Sequence, residues 1–149
     1  TNTSNLPIEA IEMEYPLLVE EYSLIEDSAG AGQYRGGMGL RRVITPRNHT
    51  CVLNGAGERF RHPPWGLFGG SPGGSGRFLL RSPTDTTRLK DKPDGVDLSP
   101  GFAVIVETPG AGGYGPPADR SEDNLDQDRE SGKFSADYLA RHYPGSDAD

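Results

Sequence analysis

Three glycine clusters constrain what this chain can become: "GAGQYRGGMG" at residues 30–39, "PPWGLFGGSPGGSG" at 63–76 and "ETPGAGGYGPP" at 107–117. No helix runs through such stretches, because glycine and proline are the two poorest residues in a helix interior. Glycine serves there in one of two ways: it turns the chain through positive φ, or it lets another backbone or a ligand approach with no Cβ between them. Each cluster adjoins an apolar or β-branched run. The clusters are therefore expected at strand ends, where they can converge on one end of a β structure and form an interaction surface.

The runs between them read as strands. "LLVEEYSLI" (17–25) alternates imperfectly, with Leu17 and Val19 on one face and Leu18, Tyr22 and Leu24 on the other. "LRRVIT" (40–45), "TCVLNG" (50–55) and "GRFLLRS" (76–82) follow, and "FAVIVETPG" (102–110) sets Phe102, Val104 and Val106 against Ala103 and Ile105. Near the N-terminus Pro7 suits a first helical turn, and Pro16 stops any helix. After Pro117 the chain turns helical and polar, with Ser121 as N-cap ahead of Glu122 and Asp123, and Gly132 ending that helix. A second short helix starts at the Ser135 cap, places Leu139 four residues before Tyr143, and stops at Pro144 and Gly145. At 149 residues the expectation is one domain spanning 1–149, mainly β and sandwich-like, with glycine-rich loops, a short N-terminal helical turn and a small helical tail at 118–149.

The glycine clusters fail as nucleotide loops. In the first, Arg35 occupies the third-glycine position of a dinucleotide fingerprint, and a strand follows where a helix is needed. The Gly132–Lys133 pair has Gln127 in place of the first glycine of a phosphate loop and Phe134 in place of its Ser or Thr. The reading is that this chain itself binds no cofactor and no metal. A formal charge of −7 and the lack of any run dense in Lys and Arg argue against nucleic acid. One cysteine cannot form an internal disulfide, and no apolar run reaches membrane-spanning length, so a cytoplasmic setting without a membrane partner is expected.

Titratable chemistry is sparse. His49 and Cys51 stand two apart on an expected strand, which gives two of the three or four ligands a zinc site needs. His142 reads as structural or solvated. No Ser/His/Asp order, carboxylate pair or Cys/His dyad stands out, so the chain alone reads as non-catalytic. Cationic side chains beside glycine-exposed N–H groups can hold bicarbonate, phosphate or an enolate, which makes Arg35, Arg61 and His62 the candidates for contact with chemistry. The loop and interface candidates are Gly36 and Gly37 in the first cluster, Pro64, Trp65, Gly66, Phe68, Gly69 and Gly70 in the second, and Gly112, Gly113 and Tyr114 in the third. Trp65 has two readings: an anchor presented to a partner chain, or a plug for the domain's own core.

"NLPIEAIEMEYPLLVEEYSLIEDSAGAGQYRGGMGLRR", "PPWGLFGGSPG", "ETPGAGGYGPP" and "GKFSADYLARHY" resemble, in that order, the C-terminal region of the hydantoinase B/oxoprolinase family. The first loop keeps Arg35, Gly36, Gly37 and Gly39, whereas "ERFRHPPWG" keeps Arg59 and Arg61 but inserts His62 into an arginine-rich run. The resemblance implies large chains that, with a hydantoinase A-type partner, open cyclic amides such as 5-oxoproline and hydantoins or carboxylate ketones such as acetone and acetophenone, at the expense of ATP. It further implies ATP with a divalent metal (Mg or Mn, with Zn a further option) on large hydantoinase A-type and B-type partner subunits in a hetero-oligomer. Within the family the chain is most like the small beta subunit of acetophenone carboxylase, mainly structural or completing a site, and encoded as a separate gene rather than cut from a longer chain. The equivalent piece of a hydantoinase or 5-oxoprolinase is the alternative, and a free-standing β-sandwich module for a small ligand is the alternative of another class.

Overall fold

The computed structural model describes residues 4–144, and its order follows from the alternation of apolar runs with glycine. Helix α1 (Ile8–Glu14) leads into β1 (Leu17–Leu24) and β2 (Leu40–Pro46), followed by β3 (Cys51–Leu53), β4 (Arg77–Arg81), β5 (Thr86–Arg88), β6 (Val96–Leu98) and β7 (Ala103–Glu107). A 3₁₀ turn at Pro117–Asp119 precedes α2 (Glu122–Glu130) and α3 (Ala136–His142). The protein is mainly β, with a five-stranded antiparallel sheet in the order β1-β2-β7-β4-β5 and a two-stranded antiparallel sheet of β3 and β6. β5 and β6 have no sequence signature: "TTR" and "VDL" are three residues each, too short to show a period.

The imperfect alternation of β1 has a cause. The pairing of β1 with β2 shifts between Val19 and Glu21, so a bulge at Glu20 puts Tyr22 and Leu24 on the same face as Leu17 and Val19, not on that of Leu18. His49 falls in a bend before β3, with its Nδ1 2.9 Å from the Arg47 carbonyl oxygen, so His49 and Cys51 do not share a strand face as the sequence suggested. In the tail, Ser135 caps α3 by accepting from the Tyr138 N–H at 3.1 Å, and Gly132 ends α2 with φ 64°. Ser121 does not cap α2 with its side chain: its hydroxyl accepts from the Asn124 side chain instead. The expected stop at Gly145 lies outside the described residues.

All three glycine segments leave the sheet at one end. The register sets Arg41 of β2 and Arg77 of β4 on either side of Glu107 at the end of β7. Glu107 is only 3% exposed and takes both guanidiniums, one on each carboxylate oxygen. Beyond that ion cluster the chains run on as three extended segments, each bonded to both others. Gly30 donates to the Ala111 carbonyl at 2.8 Å, Ser71 to Ala31 at 2.7 Å and Gly113 to Ser71 at 2.9 Å. Gly74 donates to Ser28, Gly110 to Gly74 and Ala111 to Gly37. In a flat three-stranded sheet the two outer strands cannot bond one another, so this pattern closes the segments into a three-sided bundle.

Inside such a bundle there is no room for side chains, as at the axis of a collagen triple helix. A Cβ on Gly110 would overlap the Ser28 carbonyl, one on Gly112 the Trp65 carbonyl, and one on Gly113 the Ala31 carbonyl. Of the glycines in the clusters, only Gly69 (φ 94°) and Gly115 (φ 73°) have positive φ. Of the two uses of glycine, close backbone approach therefore accounts for most of these positions, and tight turning for two.

The tail packs on the bundle rather than on the sheet. Leu125, Phe134, Tyr138, Leu139 and Tyr143 form one buried cluster with Ala29 and Ala31 of the first glycine segment. The Tyr138 hydroxyl donates to the Ala29 carbonyl at 2.5 Å, and Gly32 donates its N–H to the Tyr143 hydroxyl at 3.1 Å. Asp27 accepts from both the N–H and the hydroxyl of Ser135, at 2.8 and 2.6 Å. Two glycines separate close approach from mere composition. Gly113→Ala forces a methyl into fixed backbone and is expected to lower the free energy of unfolding by about 3 kcal/mol. Gly37→Ala, with nothing within 4 Å of its Cβ, is expected to raise it by about 0.5 kcal/mol. Urea unfolding of both variants measures the contrast.

Candidate functional site

The bundle carries an aromatic side chain outward from each of its three segments. Tyr34 and Tyr114 exchange a pair of backbone hydrogen bonds at 2.8 and 3.0 Å, and their ring centroids lie 6.3 Å apart. Phe68 from the second segment stands 5.1 Å from Tyr114 on a tilted ring contact. Leu67 pairs its backbone with the third segment on both sides of Tyr114, donating to the Gly113 carbonyl and accepting from the Gly115 N–H. All four side chains are exposed, Phe68 most of all at 75%. Phe68 is also held at φ 49°, in a region that costs a bulky residue about 1–3 kcal/mol. Neither burial nor backbone comfort explains the position of this ring.

Trp65 begins the same loop. It is 63% exposed, so it does not plug the core, and the Arg59 guanidinium lies 4.4 Å over its ring. The loop is rigid because a Cβ on Gly66 would overlap the Gly70 carbonyl, and Pro64 accepts from Gly73 while Leu67 accepts from Gly70. The converging segments bring together Pro64, Trp65, Gly66, Phe68, Gly69, Gly70, Gly112, Gly113 and Tyr114, as the strand-end positions of the clusters suggested. Tyr34 completes the array beyond the candidates the sequence offers, and its place in a glycine cluster is the signal that points to it.

The cationic candidates fall into two separate places. Arg35 is turned toward the tail: its Nε donates to Asp128 at 2.8 Å and its guanidinium lies 5.3 Å from the Phe134 ring centroid. Asp128 is 2% exposed and also accepts from Arg120 at 2.7 Å, while Arg120 donates to the Gln33 carbonyl. This triad latches α2 to the first glycine segment, beside a cleft of about 250 Å³ lined by Tyr34, Arg35, Asn124 and Lys133. Gly36 is buried against Ala111, and its neighbour Gly37 is exposed.

Arg61 and His62 line a different, open groove of about 830 Å³ together with Arg59, Arg88, Lys90 and Lys92. Arg61 pairs with Asp91 at 2.9 Å with its side chain 82% exposed. The sequence has no dense basic run, yet folding joins the 58–62 and 88–92 stretches into one basic surface. Burial raises the Tyr138 and Tyr143 hydroxyls above the usual phenol range and lowers His142. The Ser23 hydroxyl bond lowers Glu21. Among the described residues no three His, Cys, Asp or Glu side chains gather where they could hold a metal.

A sheet-anchored glycine bundle with a helical latch defines the class, and comparison supplies the family. The family model described as hydantoinase B/oxoprolinase matches residues 1–117, and the chain belongs to that family. It is 42% identical over 139 residues to an uncharacterized protein of Methanocaldococcus jannaschii, covering 93% of this chain and 24% of that one. It is 34% identical over 146 residues to caprolactamase subunit beta of Pseudomonas jessenii, covering 91% and 24%. The crystal structure of ATP-dependent caprolactamase from the same organism superposes with a TM-score of 0.81 at 30% identity, over 92% of this chain and 24% of that chain. A nucleotide-free acetone carboxylase structure shares the fold, with a TM-score of 0.69 at 22% identity over 92% and 22%. The chain thus spans about a quarter of the length of these relatives.

The latch makes a prediction. Asp128→Ala strands the Arg120 guanidinium, whose side chain is 6% exposed, and is expected to lower the free energy of unfolding by about 3 kcal/mol. Arg61→Ala removes a solvent-screened pair and is expected to leave stability unchanged; urea unfolding of both variants measures the contrast.

Proposed function

We propose that this chain is the docking portion of an ATP-dependent enzyme complex that acts on an amide or ketone carbonyl, and that it contributes a surface rather than a reacting group. The observation that carries this reading is the outward aromatic array of Tyr34, Leu67, Phe68 and Tyr114, held on backbone that has no freedom to collapse. Exposed aromatic anchors on a rigid frame are what protein interfaces use, because little conformational freedom remains to be lost on binding. The partners are large hydantoinase A-type and B-type chains, with ATP and its divalent metal bound there. Arg35 is engaged by Asp128, so its role is to position the tail and the first loop.

ATP-dependent opening of a cyclic amide is the reaction that the likeness to a caprolactamase supports. Ketone carboxylation of the acetophenone carboxylase type, toward which the sequence motifs lean, is the second reading, supported by a shared fold with acetone carboxylase. ATP hydrolysis by the purified complex separates them. Stimulation by a lactam or hydantoin alone supports amide opening, and stimulation by a ketone only when bicarbonate is present supports carboxylation.

Phe68→Gly tests the docking surface, because it removes both the ring and the strain. Relief of strain offsets the lost ring contact with Tyr114, so the variant is expected to keep the parent's unfolding free energy to within about 1 kcal/mol and to bind the partner subunits at least about tenfold more weakly. Undiminished assembly would contradict the proposal, and the retained stability excludes misfolding as the explanation of a loss.

A further inference from the structure

The open groove beside Trp65 gathers five of the chain's fifteen Lys and Arg residues, in a molecule whose formal charge is −7. Two carboxylates, Glu58 and Asp91, stand among them. Asp91 is shared, 2.9 Å from Arg61 and 3.9 Å from Arg88. Among the described residues Lys90 and Lys92 have no ion-pair partner, and Arg59 is committed to the Trp65 ring. Clustering like charges costs free energy, and the two carboxylates in the groove relieve it only in part, leaving five cations against two anions.

Three features describe what would. The groove is open and its cations are exposed, so a single small anion would be held only through solvent-screened contacts, whereas a chain bearing several carboxylates engages several cations at once. β5, which contributes Arg88, is an edge strand of the sheet with Thr86, Thr87 and Arg88 all exposed, a site that accepts an extended segment more readily than a helix. Through the Arg59–Trp65 stack the groove is continuous with the loop that carries Phe68.

We propose that this groove docks an extended acidic segment of a partner subunit, steering the partner onto the aromatic surface. The inference rests on the subunit reading above. The cations guide encounter and orientation, and the aromatic array supplies the contact that persists.

The test uses the assembled complex, with Arg88, Lys90 and Lys92 reversed together (R88E, K90E and K92E), and follows the association of this chain with its identified partner subunits at about 50 and 300 mM NaCl. The parent is expected to associate faster at low salt. The variant is expected to lose at least about tenfold in association rate there, to show little salt dependence, and to keep the parent's circular dichroism and melting temperature. Association unchanged by the reversal overturns the proposal. If Phe68→Gly still weakens assembly in that case, the subunit reading stands without the groove; if neither change matters, that reading falls as well. Sodium pyrophosphate serves as the small-anion probe. Saturable binding that depends on Lys90 and Lys92, with assembly untouched by their reversal, would reassign the groove to a small phosphate ligand and overturn docking.

Discussion

The fold depends on three stretches of backbone lying closer together than any side chain permits. Peptide groups that would elsewhere bond to water or to a flat sheet bond here to neighbours on two sides, and where one backbone lies directly against another, as at Gly110, Gly112 and Gly113, only glycine fits. That one requirement explains the composition, with 21 glycines in 149 residues, better than turn-making does. Because the bundle offers few side chains to bury, the core is split in two: Val43, Ala103 and Ile105 cluster within the sheet, and Phe134, Tyr138, Leu139 and Tyr143 of the tail pack against Ala29 and Ala31 of the bundle.

Two buried carboxylates fasten this arrangement. Glu107 joins Arg41 and Arg77 where the strands become glycine segments, and Asp128 joins Arg35 and Arg120 where the tail meets the first of them. A carboxylate between two guanidiniums tolerates burial because its lone pairs are filled and its charge is more than balanced. Both clusters draw residues from distant parts of the chain, so they fix the ends of the bundle relative to the sheet and helices. Fixed placement of the aromatic array follows from this, which is what the proposed docking surface requires.

Much of this was legible in advance. The apolar runs of β1, β2, β3, β4 and β7 announced themselves through length and β-branched content, and Gly132 and Ser135 marked helix boundaries as expected. Convergence of the clusters followed from their positions at strand ends. What stayed hidden was whatever depends on neighbours remote in sequence. The bulge in β1 breaks a period that local reading assumes intact, and the short β5 and β6 exist only by pairing. Arg35 looked free because Asp128 is 93 residues away. The basic groove looked absent because its halves are thirty residues apart, as the Arg61–Asp91 contact shows. Trp65 could not be assigned to core or surface until the close contact of Gly66 with Gly70 fixed the loop that turns it outward.

The most direct measurement of whether the glycine bundle is the organising core is native-state hydrogen exchange at the amides of Gly30, Ser71, Ala111 and Gly113, which donate its internal bonds. A bundle that is structural exchanges as slowly as the central strand β7, with protection lost only on global unfolding. Exchange at loop rates while β7 remains protected would show that the segments are ordered by something other than each other, and would contradict the account.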